Sequence, residues 1–283
     1  MKKQILWVTG SFSVMLATLI TVGLTGCGDK DEDPPEKVEK PVETYDKVDY
    51  DKLELTWSDE FEGTEVDLKK WNYRAEGTER GKSGQFSAIV DRSTISLDGQ
   101  GHCSIKVLKV DDTHYLVGQL GTDGIFKQCY GYFECRAKMN KQLGAHVAFW
   151  LQSRTMSKNP ELNDPGTNGT EIDIFEYHRK TPGIVYFNLH WNGYGEYHKT
   201  VGSKYSYPEI MDGWHTFGLR WSNTGYIFYV DGKKCWETNQ ALSRTAEYLI
   251  LSTELTGWGG NPLESTFPDE VLFDYVRVYK FKQ

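Results

Sequence analysis

The sequence has no block of basic residues. Its 32 Lys and Arg are outnumbered by 40 Asp and Glu, for a net charge of −8. Nucleic-acid binding needs clustered cations to displace counterions, so that class is excluded. Cysteine is scarce, with five in 283 residues, and none of the spacings is that of a zinc site. Cys103, Cys135 and Cys235 lie in strand-like runs ("HCSIKVLKV", "YFECRAKM", "DGKKCWE"). Together with Cys129 they read as free, buried thiols, although the compartment inferred below permits a disulfide. Sustained helical periodicity is missing after Leu53, and with it any βαβ rhythm. No segment repeats. Long apolar runs are missing too, except at the N-terminal end.

That exception reads "MKKQILWVTGSFSVMLATLITVGLTGC". Lys2 and Lys3 precede an apolar stretch that reaches Gly26, the layout of a secretory signal. The run is also long enough for a membrane-spanning anchor. Leu24-Thr25-Gly26-Cys27 resembles the bacterial lipobox, in which the Cys is lipidated and becomes the new N-terminus, and this favours a lipoprotein. Residues 1–27 are therefore expected to be a lipoprotein signal peptide with lipidated Cys27. Residues 28–52 are charged, contain Pro and have few apolar side chains. Such a segment buries too little surface to offset its ordering entropy and reads as a flexible acidic tether. The expected location is the bacterial cell envelope, lipid-anchored, on the periplasmic side or the outer-membrane surface. The membrane is a partner through the lipid alone.

What is abundant is aromatic. Phe, Trp and Tyr make up 14% of the chain, including 9 Trp and 17 Tyr. From residue 53 to 283, alternation at period two recurs between Gly, Asn and Asp breaks. In "YGYFECRAKM", Tyr132, Glu134, Arg136 and Lys138 alternate with Phe133, Cys135, Ala137 and Met139. "AHVAFWLQS", "GIVYFNLHW", "WHTFGLRWS", "EYLILSTEL" and "VLFDYVRVYKF" are further strand-length runs, and "VDGKK" signals a tight turn. The expected fold is all-β, one antiparallel sandwich or barrel.

One run breaks the alternation. In "TEIDIFEYH", Glu171, Asp173 and Glu176 crowd an otherwise apolar strand. A regular strand puts Glu171 and Asp173 on one face and Glu176 on the other, among Ile172 and Ile174. One inserted residue near Ile174–Phe175, a β-bulge, would bring Glu171, Asp173, Glu176 and His178 to one face. Acids that close raise one another's pKa, which favours a proton on one of them near neutral pH. Retaining glycoside hydrolysis needs such a pair, one carboxylate attacking and one protonated carboxyl donating. Two other readings of the triplet stand beside it: a solvated acidic face, and a Ca²⁺ site.

Glu171-Ile-Asp173-Ile-Phe-Glu176 resembles the E-x-D-x-x-E signature of glycoside hydrolase family 16. "LTWSDEFEGTEVDLKKWNY", "YGYFECRAKM", "VAFWLQS", "WHTFGLRWSNTGYIFYVDG" and "FDYVRVYK" are similar, in order, to further family segments from Leu53 to Lys280. The resemblance implies an antiparallel β-sandwich jelly roll with a concave substrate cleft, and a retaining, endo-acting hydrolase of internal β-linkages. It implies Glu171 as nucleophile, Asp173 as its assisting acid and Glu176 as general acid/base. The bulged spacing is similar to the branch of laminarinases, agarases and endo-β-galactosidases. Two features depart from laminarinases: His146 stands where many have Trp, and "NDPGTNGT" replaces W-P-x-x-G before the nucleophile.

The substrate expected is a polysaccharide: a β-1,3 or mixed-linkage glucan, or a β-galactan. Sugar C–H faces stack on aromatic rings. Trp150 is a candidate subsite wall or a core residue. Trp191 and Trp258, in Gly-rich and loop-like segments, are candidates for substrate contact. His178 and His190 are candidates for the same face, as is His146, each with a purely structural alternative. No organic cofactor or redox metal is implied, and Asp274 leaves a structural Ca²⁺ open. A monomer is expected. The rival function is a non-catalytic glycan-binding lipoprotein of the same fold.

Overall fold

A computed structural model describes residues 45–283, apart from 84–85. The expected signal peptide, Cys27 and the expected tether up to residue 44 lie outside the described residues. The domain boundary expected at Leu53 falls too late. Val48 N–H donates to Gly232 O at 3.4 Å, the Arg220 guanidinium lies 3.9 Å from the Tyr45 ring, and Tyr50–Lys52 forms one 3₁₀ turn. Tyr45 and Val48 pack against Leu53, Tyr132, Ile227 and Tyr229. The Tyr50 hydroxyl donates to Glu134 at 2.5 Å and Lys234 N–H to Asp46 O at 3.1 Å, so side chains and backbone together seat this stretch on the domain.

Among the described residues the strands form an 11-stranded and a 7-stranded sheet, packed face to face as a β-sandwich jelly roll. Alternation builds the shared core. Phe133, Cys135 and Ala137 of the Gly131–Lys138 strand are wholly buried, as are Phe217 and Leu219 of His215–Ser222. They meet Val147, Phe149, Leu151, Phe187 and Leu189 of the smaller sheet. The Phe175 and Phe217 ring centroids lie 4.0 Å apart across the layers, and Phe187 and Phe228 5.3 Å apart. Each such buried side chain stabilises by about 1.5–3 kcal/mol. One pair departs from the antiparallel expectation: Phe86–Val90 runs parallel to His114–Val117. Among the described residues the longest α-helix is the four-residue turn Pro165–Asn168. Cys103 and Cys135 are buried, Cys129 and Cys235 half-buried, and all four are free thiols.

The smaller sheet positions the site. Its order is Lys199–Ser206, Ile184–Trp191, Glu171–His178, Gly144–Gln152, Tyr248–Gly259, Gln119–Gly121, Asn72–Tyr73. The strand carrying the acids is thus flanked on both sides by other strands.

Candidate active site

The Glu171–His178 strand contains the extra residue that its acids require. Against Gly144–Gln152, Phe175 pairs with Phe149 and Asp173 with Trp150, so Ile174 has no opposite number. Against Ile184–Trp191, Asp173 pairs with Asn188 and Glu176 with Tyr186, two residues facing one. Ile172, Ile174, Phe175 and Tyr177 are all wholly buried in the inter-sheet core. Glu171, Asp173 and Glu176 turn to the other face, where they line one cavity of about 210 Å³. The bulge lets both Ile174 and Phe175 face inward and restores the acids' phase beyond them.

Ladder register lays out the floor in rows. Glu171 sits beside His190; Asp173 between Asn188 and Trp150; Glu176 between Tyr186 and Ala148; His178 beside His146. On the far side of Gly144–Gln152, Ser252 pairs with Ala148 and Glu254 with His146. A larger cavity, about 540 Å³, lies against Tyr132, Arg220 and Phe281 and contains none of the three acids.

The solvated-face reading does not hold, because Glu171, Asp173 and Glu176 are only 9, 4 and 8% exposed. Each has a distinct set of neighbours. Glu171 Oε2 accepts from Tyr194 Oη and, at 3.0 Å, from Gln152 Nε2. Gln152 is itself held through its Oε1 by Tyr248 at 2.6 Å and Arg74 at 3.1 Å. Glu176 Oε1 lies 2.8 Å from His146 Nε2, and its Oε2 accepts from Asn188 Nδ2. Asp173 Oδ2 lies 3.4 Å from His190 Nε2 but has no hydrogen-bond partner among the described residues.

These neighbours separate the carboxyl groups. Burial, then the charge of Glu176, pushes Asp173 well up. Burial, then the charge of Asp173, pushes Glu171 up to about 8. Burial pushes Glu176 up as well, but His146 and Asn188 outweigh it and hold that carboxyl below its ordinary range. The charge of Glu176 thus raises Asp173, and the charge of Asp173 in turn raises Glu171. Asp173 is the more buried and has no donor on Oδ2, so it takes the proton first. That neutralises the charge beside Glu171, whose Tyr194 and Gln152 donors stabilise its anion.

Among the described residues, Glu171, Asp173 and His190 also offer ligand atoms within 4.8 Å of one another, a set that could hold a cation. Three ligands, one of them imidazole nitrogen, fit Ca²⁺ poorly, since it takes six to eight oxygens. Asp274 lies elsewhere. It accepts from Arg136 Nη1 at 2.5 Å and lies 3.9 Å from His102.

Of the other residues singled out in the sequence, His146 and Trp150 line the acid cavity. Trp150 donates from Nε1 to Ser252 Oγ at 3.0 Å, and the Arg74 guanidinium lies 5.0 Å from its ring. His190 stands beside Asp173 and is 3.0 Å from His198 through Nδ1. His178 shares the acids' face but lies under Trp258, with ring centroids 4.5 Å apart, and both its nitrogens are buried without partners. Trp191 and Trp258 are strand residues, not loop residues. They fall at or near the ends of Ile184–Trp191 and Tyr248–Gly259. Trp258 packs on His146, His178 and Tyr186. Trp191 is tied by Nε1 to Asn163 Oδ1 at 3.0 Å and does not line the acid cavity.

Sequence reading missed Gln152, Asn188 and Tyr194. The first two were within reach of simple alternation. Asn188 sits between the wholly buried Phe187 and Leu189, and Gln152 lies two residues beyond Trp150 on the same strand face. Tyr194 arrives from the segment after Trp191, and no periodic signal places it.

Residues 83–277 match the profile of glycosyl hydrolases family 16. The glucan endo-1,3-beta-glucosidase A1 of Niallia circulans is 27% identical over 263 residues, 81% of this chain and 38% of that protein. The keratan-sulfate endo-1,4-beta-galactosidase of Sphingobacterium multivorum is 28% identical over 245 residues, 80% of this chain and 55% of that protein. The chain therefore spans only part of each relative's length. Among solved structures, the laminarinase catalytic domain of Thermotoga maritima MSB8 superposes with a TM-score of 0.68 at 26% identity, covering 82% of this chain and 99% of that one. With more than half of its length matched by the profile and its bulged acid strand set in a jelly roll, the chain belongs to glycosyl hydrolases family 16.

Proposed function

We propose that this chain is a retaining, endo-acting β-glycan hydrolase in which Glu171 is the nucleophile, Glu176 the general acid/base and Asp173 the proton-holding partner of Glu171. The carrying observation is the bulge at Ile174, which sets three buried carboxyl groups on one face of the sheet. In the first step a Glu171 oxygen bonds to the anomeric carbon as the bond to the leaving oxygen breaks, and Glu176 gives that oxygen a proton. In the second, Glu176 takes a proton from water, the water oxygen bonds to the same carbon, and Glu171 leaves. Glu171 and Glu176 stand about four strand steps apart, roughly 13 Å between Cα atoms, a gap that two long side chains lining one cavity with Asp173 can largely close. Trp150 offers a ring face in the same cavity, suited to a sugar's C–H surface.

The test is reducing-end release from a panel of β-1,3- and mixed-linkage glucans and β-galactans, with Glu171→Gln and Glu176→Gln alongside wild type. Each variant is expected to lose roughly 10³-fold on the polymer cleaved. Equal activity in all three proteins would sink these roles. Binding without release on any polymer would favour a glycan-binding protein.

We further infer that the domain is displayed outside the cytoplasm on a lipid at Cys27, on the strength of the Leu24–Cys27 lipobox. Radiolabelled palmitate should enter the wild-type chain and not Cys27→Ala. Incorporation into both would reject the anchor.

A further inference from the structure

Among the described residues, His146 is the titratable group within hydrogen-bond distance of Glu176, and the double displacement leaves it without a task. Its Nε2 lies 2.8 Å from Glu176 Oε1, and its Nδ1 is buried without a partner. The ring is held edge-on by Trp258 at 4.9 Å between centroids. The other Glu176 oxygen accepts from Asn188, a neutral amide that neither gains nor loses a proton. Further titratable groups surround the pair. Asp173 and His178 share the Glu171–His178 strand with Glu176, Glu254 comes from Tyr248–Gly259, Tyr186 and His190 come from Ile184–Trp191, and Arg80 of Glu79–Ser83 lines the same cavity. Among the described residues none of them is hydrogen-bonded to Glu176, and neither ring nitrogen of His178 has a hydrogen-bond partner.

We propose that Glu176 works as half of a histidine–glutamate dyad, in which His146 is its positioning residue and the store of the proton it delivers. This rests on the hydrolase reading above. The dyad holds one proton along the Nε2–Oε1 line. On Nε2 it makes imidazolium and carboxylate; moved to Oε1 it makes neutral imidazole and carboxylic acid. When the leaving oxygen takes that proton, the C–O bond to the anomeric carbon breaks and the bond to Glu171 forms. A carboxylate then faces a bare Nε2. With its strongest donor gone, Glu176 is a better base for the attacking water, and the proton it gains returns to Nε2 as Glu171 leaves. His146 thereby serves both half-reactions with no change in the dyad's composition over a turnover.

Two measurements test this on the whole domain. Imidazole ¹⁵N NMR of wild type against Glu176→Gln reads the dyad without substrate. His146 should hold its second proton to higher pH in wild type than in the variant, and the same titration in both would overturn the proposal. Kinetics of His146→Gln and His146→Ala then compare the cleaved glycan with a nitrophenyl glycoside of the same sugars, whose leaving group needs little protonation. The expected loss is roughly 10²-fold on the glycan and clearly less on the nitrophenyl substrate, with the alkaline limb of kcat/KM moved to lower pH. Equal losses on both substrates with an unmoved limb would overturn it. If Glu171→Gln and Glu176→Gln themselves keep full activity, the hydrolase reading falls and this one with it. If they are inactive while His146 variants behave as wild type, only the dyad falls.

Discussion

Glu247→Gln should make the domain more stable as pH rises. The Glu247 side chain is wholly buried beneath the start of the acid strand. Its Oε1 accepts from Thr170 N–H at 2.9 Å, and its Oε2 has no partner. Burial, only partly opposed by the Thr170 N–H and the Ser243 side chain, pushes its pKa up from 4.5 to about 8. The sign follows from linkage. A raised carboxyl binds its proton more firmly when folded than when unfolded, so wild-type stability is fullest below pH 4.5 and declines until about pH 8. Gln binds no proton at this site and is free of that decline. At about 1.36 kcal/mol per pH unit, the stability difference between variant and wild type should widen by about 3 kcal/mol between pH 4.5 and 7. A Gln amide without an acceptor costs about 1–3 kcal/mol, but that cost is the same at every pH and leaves the slope untouched. Urea unfolding of both proteins at pH 5, 6, 7 and 8 reads the slope directly. Two parallel stability curves would show that Glu247 is ionised in the folded protein and would refute the reasoning.

Tyr194→Phe removes the hydroxyl that donates to Glu171, so the nucleophile becomes harder to ionise; the acidic limb of kcat/KM should move to higher pH with a roughly tenfold loss, and an unmoved limb would count against a role for Tyr194. Trp150→Ala should weaken glycan binding to the inactive Glu171→Gln protein about tenfold, with Trp150→Phe losing less; calorimetry that gives equal affinities would remove Trp150 from the binding surface. Burial, then the charge of His146, pushes His178 down to about 4. A depressed base stabilises the fold above its unfolded pKa of 6.5 and loses that contribution as pH falls through about 4. His178→Leu should therefore gain melting temperature relative to wild type on going from pH 7 to pH 5, and a constant difference would mean that His178 is charged in the fold.

The all-β architecture was legible because alternation is a strong signal wherever one strand face is buried. The bulge was legible for the same reason in reverse: only an inserted residue keeps Glu176 out of the layer that holds Ile172 and Ile174. Phase on a single strand is a local property, and the sequence carries it. Pairing between strands is not local. That His146 stands beside Glu176, and Asn188 beside Asp173, depends on registers fixed by turns and core packing far from the acids. Trp191 and Trp258 misled because glycines near strand ends look like loop composition. Gly259 is instead the place where the strand passes close to Gly144, a Cβ there meeting Gly144 O at 2.4 Å. Such a close approach demands glycine within a strand.

How this strand tolerates its acids follows from its two faces. Three carboxylates in one cavity repel, and burying each ion costs several kcal/mol unless it is paired or neutralised. The site uses both remedies: His146 faces Glu176, and a proton on Asp173 neutralises the most deeply buried acid. The inner face supplies the rest. Without the bulge, the four inward residues would be Ile172, Ile174, Glu176 and His178, only two of them apolar. With it, Ile172, Ile174, Phe175 and Tyr177 all reach the core while Glu171, Asp173, Glu176 and His178 all face away. Those four apolar side chains contribute roughly 6–12 kcal/mol, enough to hold the strand against its own charge. The same inserted residue therefore sets the direction of Glu176 and supplies part of the burial that keeps it there, so the geometry of the site and its stability cannot be varied independently at Ile174.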